Sequence, residues 1–127
     1  MFSETLRNWC ESITAWNLAL DEKGRPNIGP FPCGGIVTIH SETNEITRSG
    51  QFWALAHFSK FIRRGARRLD SKSDAQGLHH VMVENPDGSR VVVLGNSADA
   101  RSVTVQLAGA ATEIHLEKNA VATLTWR

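Results

Sequence analysis

Two adjacent acids, Asp21 and Glu22, stand at the entrance of a loop rich in glycine and proline. Trp16 and Asn17 precede them, and Asn27 follows within the loop. Two carboxyl groups can divide acid–base work on one bond, but both must reach it from opposite sides. Neighbouring side chains on extended backbone point apart, so Asp21 and Glu22 do not make such a couple. Glu4, Glu11, Glu42 and Glu45 sit on no strand end expected to face Asp21. The expectation is that no catalytic residue lies in this chain. An indole face, by contrast, suits the flat C–H surface of a pyranose. Four tryptophans in 127 residues is a high proportion, with core packing as the alternative use.

Other reactive side chains point to no further chemistry. Cys10 and Cys33 make neither a disulfide framework nor a metal motif, and both are expected as free thiols. Cys33 has no nearby histidine or acid to activate it, so no metal or cofactor is expected. His57 falls within an apolar pattern and reads as a satisfied histidine at the core boundary. Arg63, Arg64, Arg67 and Arg68 form a basic cluster. It could take a phosphate or carboxylate, or be a solvated face or a set of interdomain ion pairs.

Charge and hydropathy narrow the partners. The formal net charge is +1, from 14 basic and 13 acidic residues, which gives no reason to propose nucleic acid. No apolar run reaches the roughly 18 residues of a membrane span. The start, MFSETLRNWCES, lacks an apolar core and does not read as a signal peptide.

The elements that must position these residues change style along the chain. Leu6, Trp9, Cys10 and Ile13 share one helical face, so a helix is predicted over 4–13, with Ser3 as its cap. Residues 14–20 show little alternation and predict a strand covered on both faces. A loop follows over 21–35, then a short strand over 36–40, a turn over 41–44 and a hairpin partner over 45–48. Residues 50–62, capped by Ser49, predict a helix with an apolar arc wide enough to be well buried.

From residue 69 the period is two. Strands are predicted over 79–84, 90–95, 101–107, 112–116 and 120–126, with Asn85, Pro86, Asp87, Gly88 and Ser89 turning the first hairpin. Five strands at this spacing predict an antiparallel sandwich.

Several strings resemble glycoside hydrolase family 30, the group that contains glucosylceramidase. They are Trp16-Asn17-Leu18-Ala19-Leu20-Asp21, then Gly24-x-Pro26-Asn27, then Cys33-Gly34-Gly35-Ile36-Val37-Thr38-Ile39. The likeness continues through Leu55-Ala56-His57-Phe58-Ser59-Lys60-Phe61-Ile62, Gly65-Ala66-Arg67-Arg68 and Asn85-Pro86-Asp87-Gly88-Ser89, and ends at Leu124-Thr125-Trp126-Arg127. Two places depart from it: Ile28 stands where the family often has Trp, and Phe31-Pro32 replaces more polar residues.

The resemblance implies a mainly β chain with an α/β N-terminal part. Residues 1–65 would be the C-terminal remnant of a (β/α)8 barrel, with its last strand, βα loop and closing helix. Residues 66–127 would be the antiparallel β-sandwich. It implies a parent that is a secreted or extracytoplasmic retaining β-glycosidase, possible substrates including glucosylceramide and hence a place in sphingolipid metabolism. Its two catalytic glutamates would lie on earlier barrel strands, so this chain alone is expected to be inactive. Trp16 would lie against the sugar, with Asn17 and Asn27 as further substrate-binding residues. A core place is the alternative for Trp16, and fixing the turn is the alternative for Asn27. Open edges and an apolar patch around residues 13–39 are expected, to be covered by a missing barrel segment or by oligomerisation. A non-catalytic carbohydrate-binding or structural module is the alternative function.

Overall fold

The computed structural model describes residues 2–107 and 109–127. Its contacts divide the chain into two units, residues 1–11 with 57–127 and residues 12–56.

Alternating valines build the larger unit. Strands β4 (Arg67–Leu69), β5 (Leu78–Glu84), β6 (Arg90–Asn96) and β9 (Val121–Trp126) form one sheet in the order β4-β5-β6-β9. Every pairing in it is antiparallel. Val81 lies opposite Val93, and Val83 opposite Val91. With period two these four share a face, and they form one buried cluster. Leu6, Phe58, Phe61, Ile62, Ala66 and Val121 pack against it. Burying a valine side chain fully is worth about 1.5–3 kcal/mol, so this face is a major source of cohesion.

Met82, Val92 and Leu94 belong to a second cluster, completed by Leu116. Its cover comes from β7 (Arg101–Leu107) and β8 (Ala110–Leu116), which pair antiparallel as a two-stranded sheet. Val103, Val105 and Leu107 alternate with more exposed Ser102, Thr104 and Gln106, as the sequence predicts. Two apolar faces meeting across a layer of side chains make the sandwich. The five predicted strands are therefore present, and β4 is an additional edge strand.

Asparagine side chains fix the turns. Asn85, 5% exposed, donates from Nδ2 to the Phe61 carbonyl and to Ser89 Oγ, each at 3.0 Å. Asn96, 2% exposed, donates to the carbonyls of Asp99 at 3.0 Å and Glu117 at 3.1 Å. Buried backbone acceptors need such donors.

The predicted first helix is shorter than its pattern. Helix α1 spans Phe2–Arg7, and Trp9 adopts φ +69°, outside the right-handed helical region. Asn8 returns both its backbone N–H and its Nδ2 to the Glu4 carbonyl, which closes the last turn. Ile13 therefore has no helical place beside Leu6.

In the smaller unit, β1 (Ala19–Leu20), β2 (Val37–Ile39) and β3 (Ile46–Arg48) form a sheet in that order. β1 pairs parallel with β2, and β2 pairs antiparallel with β3. The strand predicted over 14–20 is reduced to its last two residues, because Asn17 takes φ +52° and breaks the extended run. Trp16 and Leu18 are 76% and 73% exposed, so this stretch is not covered on both faces. Ile28 and Phe31 are exposed too, in line with the apolar surface expected around residues 13–39.

Helix α2 spans Gly50–Ser59, with Ser49 as its cap: Ser49 Oγ accepts the Phe52 N–H at 3.3 Å. It stops three residues short of the prediction, and Phe61 and Ile62 turn back to the Phe58 carbonyl instead. None of its residues is fully buried, so its wide apolar arc is only half-covered.

Candidate functional site

The loop after β1 is organised by its own polar side chains. Asp21 Oδ1 accepts the backbone N–H groups of Lys23 at 2.9 Å and Arg25 at 2.7 Å. This is an Asx turn, closed by the Gly24 N–H on the Asp21 carbonyl at 3.0 Å. Gly24 has φ +73°, and a Cβ there would meet the Cys33 carbonyl oxygen at 2.6 Å. Only glycine satisfies both conditions.

Glu22 turns away from Asp21. Its carboxylate accepts the Ser41 hydroxyl, and the Ser41 backbone N–H at 3.0 Å. These bonds lower its pKa to about 2. A carboxylate so held stays ionised at neutral pH and is no proton donor. Neither acid of the pair is arranged for general acid–base work, as their adjacency suggests.

Asn27 knots the distal part of the loop. Its Nδ2 donates to the Phe31 carbonyl at 2.6 Å and to Cys33 Sγ at 3.4 Å, and its Oδ1 accepts the Gly29 N–H at 3.2 Å. The Arg25–Pro26 peptide bond is cis. A groove of about 510 Å³ opens beside this knot, lined by Leu20, Asp21, Arg25, Pro26, Asn27 and Ile39 among others. Asn27 thus both fixes the turn and borders an open concavity.

Trp16 and Asn17 do not line that groove. Trp16 presents its ring to solvent, so the core alternative does not hold for it. Asn17 accepts the Ile36 N–H at 3.1 Å through its backbone carbonyl. Its Nδ2 is buried and has no hydrogen-bond partner among the described residues.

Arg25 was not singled out in the sequence. Its place between Gly24 and Pro26 reads as turn filler, and only the fold around the Asp21 turn puts it on the groove wall.

Several of the remaining candidates have partners within the chain. His57 Nδ1 lies 2.9 Å from Thr123 Oγ1, the satisfied histidine expected. Arg63 pairs with Asp87 at 3.0 Å and Arg68 with Asp70 at 3.3 Å. Cys10 and Cys33 are free thiols. Among the described residues no group of histidine, cysteine and acid side chains could hold a metal ion, and no helix is long and apolar enough to cross a membrane.

Residues 65–124, which hold strands β4 to β8 and the first part of β9, match the Glycosyl hydrolase family 30 beta sandwich domain. This segment is a family 30 β-sandwich domain. The family likeness extends beyond it. The chain is 34% identical over 101 residues to an endo-1,6-beta-D-glucanase of Neurospora crassa, covering 72% of this chain and 21% of that protein. It is 36% identical over 84 residues to the lysosomal acid glucosylceramidase of Mus musculus, covering 65% of this chain and 16% of that protein. The solved structure of the endo-beta1,6-glucanase BT3312 superposes on 98% of this chain with a TM-score of 0.87 and 29% identity, using 29% of its own length. The matched stretches make up 16% to 29% of the length of these three relatives, so the chain spans less than a third of each.

Proposed function

We propose that this chain works as the C-terminal part of a family 30 retaining β-glycosidase acting on β-glucosides. The observation that carries the reading is the match of residues 65–124 to the family's sandwich domain, with relatives named as glucanases and glucosylceramidases. Residues 1–65 supply the last strand, βα loop and closing helix of a barrel, and residues 66–127 the accessory sandwich. Trp16 offers an indole face to a pyranose, with Asn17 and Asn27 as further substrate-binding residues. The two catalytic glutamates come from barrel strands outside this chain, the compartment is extracytoplasmic, and the 127 residues alone do not turn over substrate. Both a β-1,6-glucan and glucosylceramide fit this reading as substrates.

The exposure of Trp16 favours a second reading, a carbohydrate-binding module without catalysis. Hydrolysis of an aryl β-glucoside by the purified chain tests the first. No turnover above a buffer blank is expected, and activity that survives stringent purification overturns it. Calorimetric titration with a glucoside then separates sugar binding by the chain from a purely structural role.

A further inference from the structure

The groove beside β1 carries one charge of each sign. Among the described residues its charged lining is Asp21 and Arg25, with Leu20, Pro26 and Ile39 as apolar surface. It opens at the carboxyl ends of two parallel strands, since Leu20 closes β1 and Ile39 closes β2. Parallel sheets hold their ligands at that end. Its volume of about 510 Å³ falls within the range of small-molecule sites.

The hydrogen-bonding capacity left on this wall is selective. Both N–H groups of the Asn27 amide are spent inside the loop, on the Phe31 carbonyl and on Cys33 Sγ. Asn27 therefore gives a ligand a wall but no donor. Asp21 Oδ1 is spent on the backbone N–H groups of Lys23 and Arg25. Among the described residues nothing donates to Asp21 Oδ2, and the exposed Arg25 guanidinium has no acceptor. A carboxylate oxygen accepts and a guanidinium donates, and here the two belong to one turn, which Asp21 closes onto the Arg25 nitrogen at 2.7 Å. With the charges balanced, a neutral ligand fits better than an ion. Two neighbouring hydroxyls of a pyranose match the pattern, one donating to the carboxylate and one accepting from the guanidinium.

We propose that this groove is a saccharide subsite in which Asp21 and Arg25 hold two adjacent hydroxyls of a neutral sugar ring. The inference rests on the reading of the chain as part of a β-glycosidase. Trp16 does not line the groove, so indole and groove are two surfaces, and a ligand that fills both has more than one ring. The substrate is then a glucan rather than a single glucose on a lipid. An alkyl chain in the groove would strip water from a carboxylate and a guanidinium and offer neither a partner, which is costly.

The test is calorimetric titration of the full chain with gentiotetraose, a β-1,6-linked glucose oligomer, against methyl β-glucoside and octyl β-glucoside. Gentiotetraose is expected to bind about tenfold more tightly than either monoglucoside. Arg25→Gln is expected to remove that advantage, as is Asp21→Asn, which keeps an oxygen for the turn. Both should leave methyl β-glucoside binding unchanged. Lys23→Gln removes a charge on the same turn but outside the groove lining, and is expected to change nothing. Circular dichroism checks that each variant folds. Absence of gentiotetraose binding overturns the proposal, and so does octyl β-glucoside binding of equal strength. An advantage that survives either groove substitution overturns it, as does an equal loss in Lys23→Gln. The glycosidase reading is judged separately, by methyl β-glucoside binding that Trp16→Ala removes and the groove variants retain.

Discussion

Asn85 Oδ1 accepts the backbone N–H of Arg63 at 2.9 Å. The same side chain donates to the Phe61 carbonyl and to Ser89 Oγ. One buried amide thus ties the chain leaving α2 to the turn between β5 and β6. Asn85→Ala is expected to destabilise the protein by about 2–3 kcal/mol, since it leaves a buried donor and acceptor without partners. The urea midpoint checks this, and a loss below about 0.5 kcal/mol would mean that water replaces the amide at no cost.

Gly35 is closed in by backbone. A Cβ there would collide with the Val37 carbonyl oxygen and lie 2.8 Å from the Leu20 nitrogen. Gly35→Ala is expected to force β1 and β2 apart. Amide hydrogen exchange should show lost protection at Val37, whose N–H donates to the Leu18 carbonyl at 2.9 Å, with β5 and β6 unaffected.

Glu22 should leave an acid signature. Its pKa is held at about 2, below the ordinary 4.5, first by the Ser41 hydroxyl and then by the Ser41 N–H. A lowered folded pKa contributes stability that is fully present above the unfolded value and lost as pH falls through the folded one. The difference in unfolding midpoint between the native protein and Glu22→Gln should be constant above pH 4.5 and shrink between pH 4.5 and 2. A difference that does not change over that window would mean that the bonds to Ser41 do not form in solution.

Trp16→Ala separates binding from folding. With the ring 76% exposed, the melting temperature should stay within the range of a surface change, about 0.5 kcal/mol. Binding of a β-glucoside should weaken. A marked fall in melting temperature would restore the core role for this residue.

Legibility in the sequence followed from how each element is stabilised. β5, β6, β7, β8 and β9 were readable because one-sided or two-sided burial leaves a period of two. β4 was not, because Arg67-Arg68-Leu69 shows charge where a strand usually shows apolar residues, and its pairing with β5 comes from the neighbouring backbone. The early helix and strand were overdrawn for a related reason. The apolar spacing of Trp9 and Trp16 looked like core, yet backbone turns at Trp9 and Asn17 leave both rings in solvent. At the loop, Asn27 was legible, because Pro-Asn in a glycine-rich stretch points to a turn. Arg25 was not, since its position on the groove wall depends on how Asp21 folds the backbone around it.

Phe58, Phe61 and Ile62 all precede residue 65, yet they cover Val81, Val83, Val91 and Val93. The evolutionary edge of the domain and its physical edge are thus different places. Anyone excising the β-strands at the former would peel a greasy lid off a flat valine surface, and should expect precipitation; retaining the aromatic run upstream, together with Leu6 supplied by the start of the chain, is the remedy.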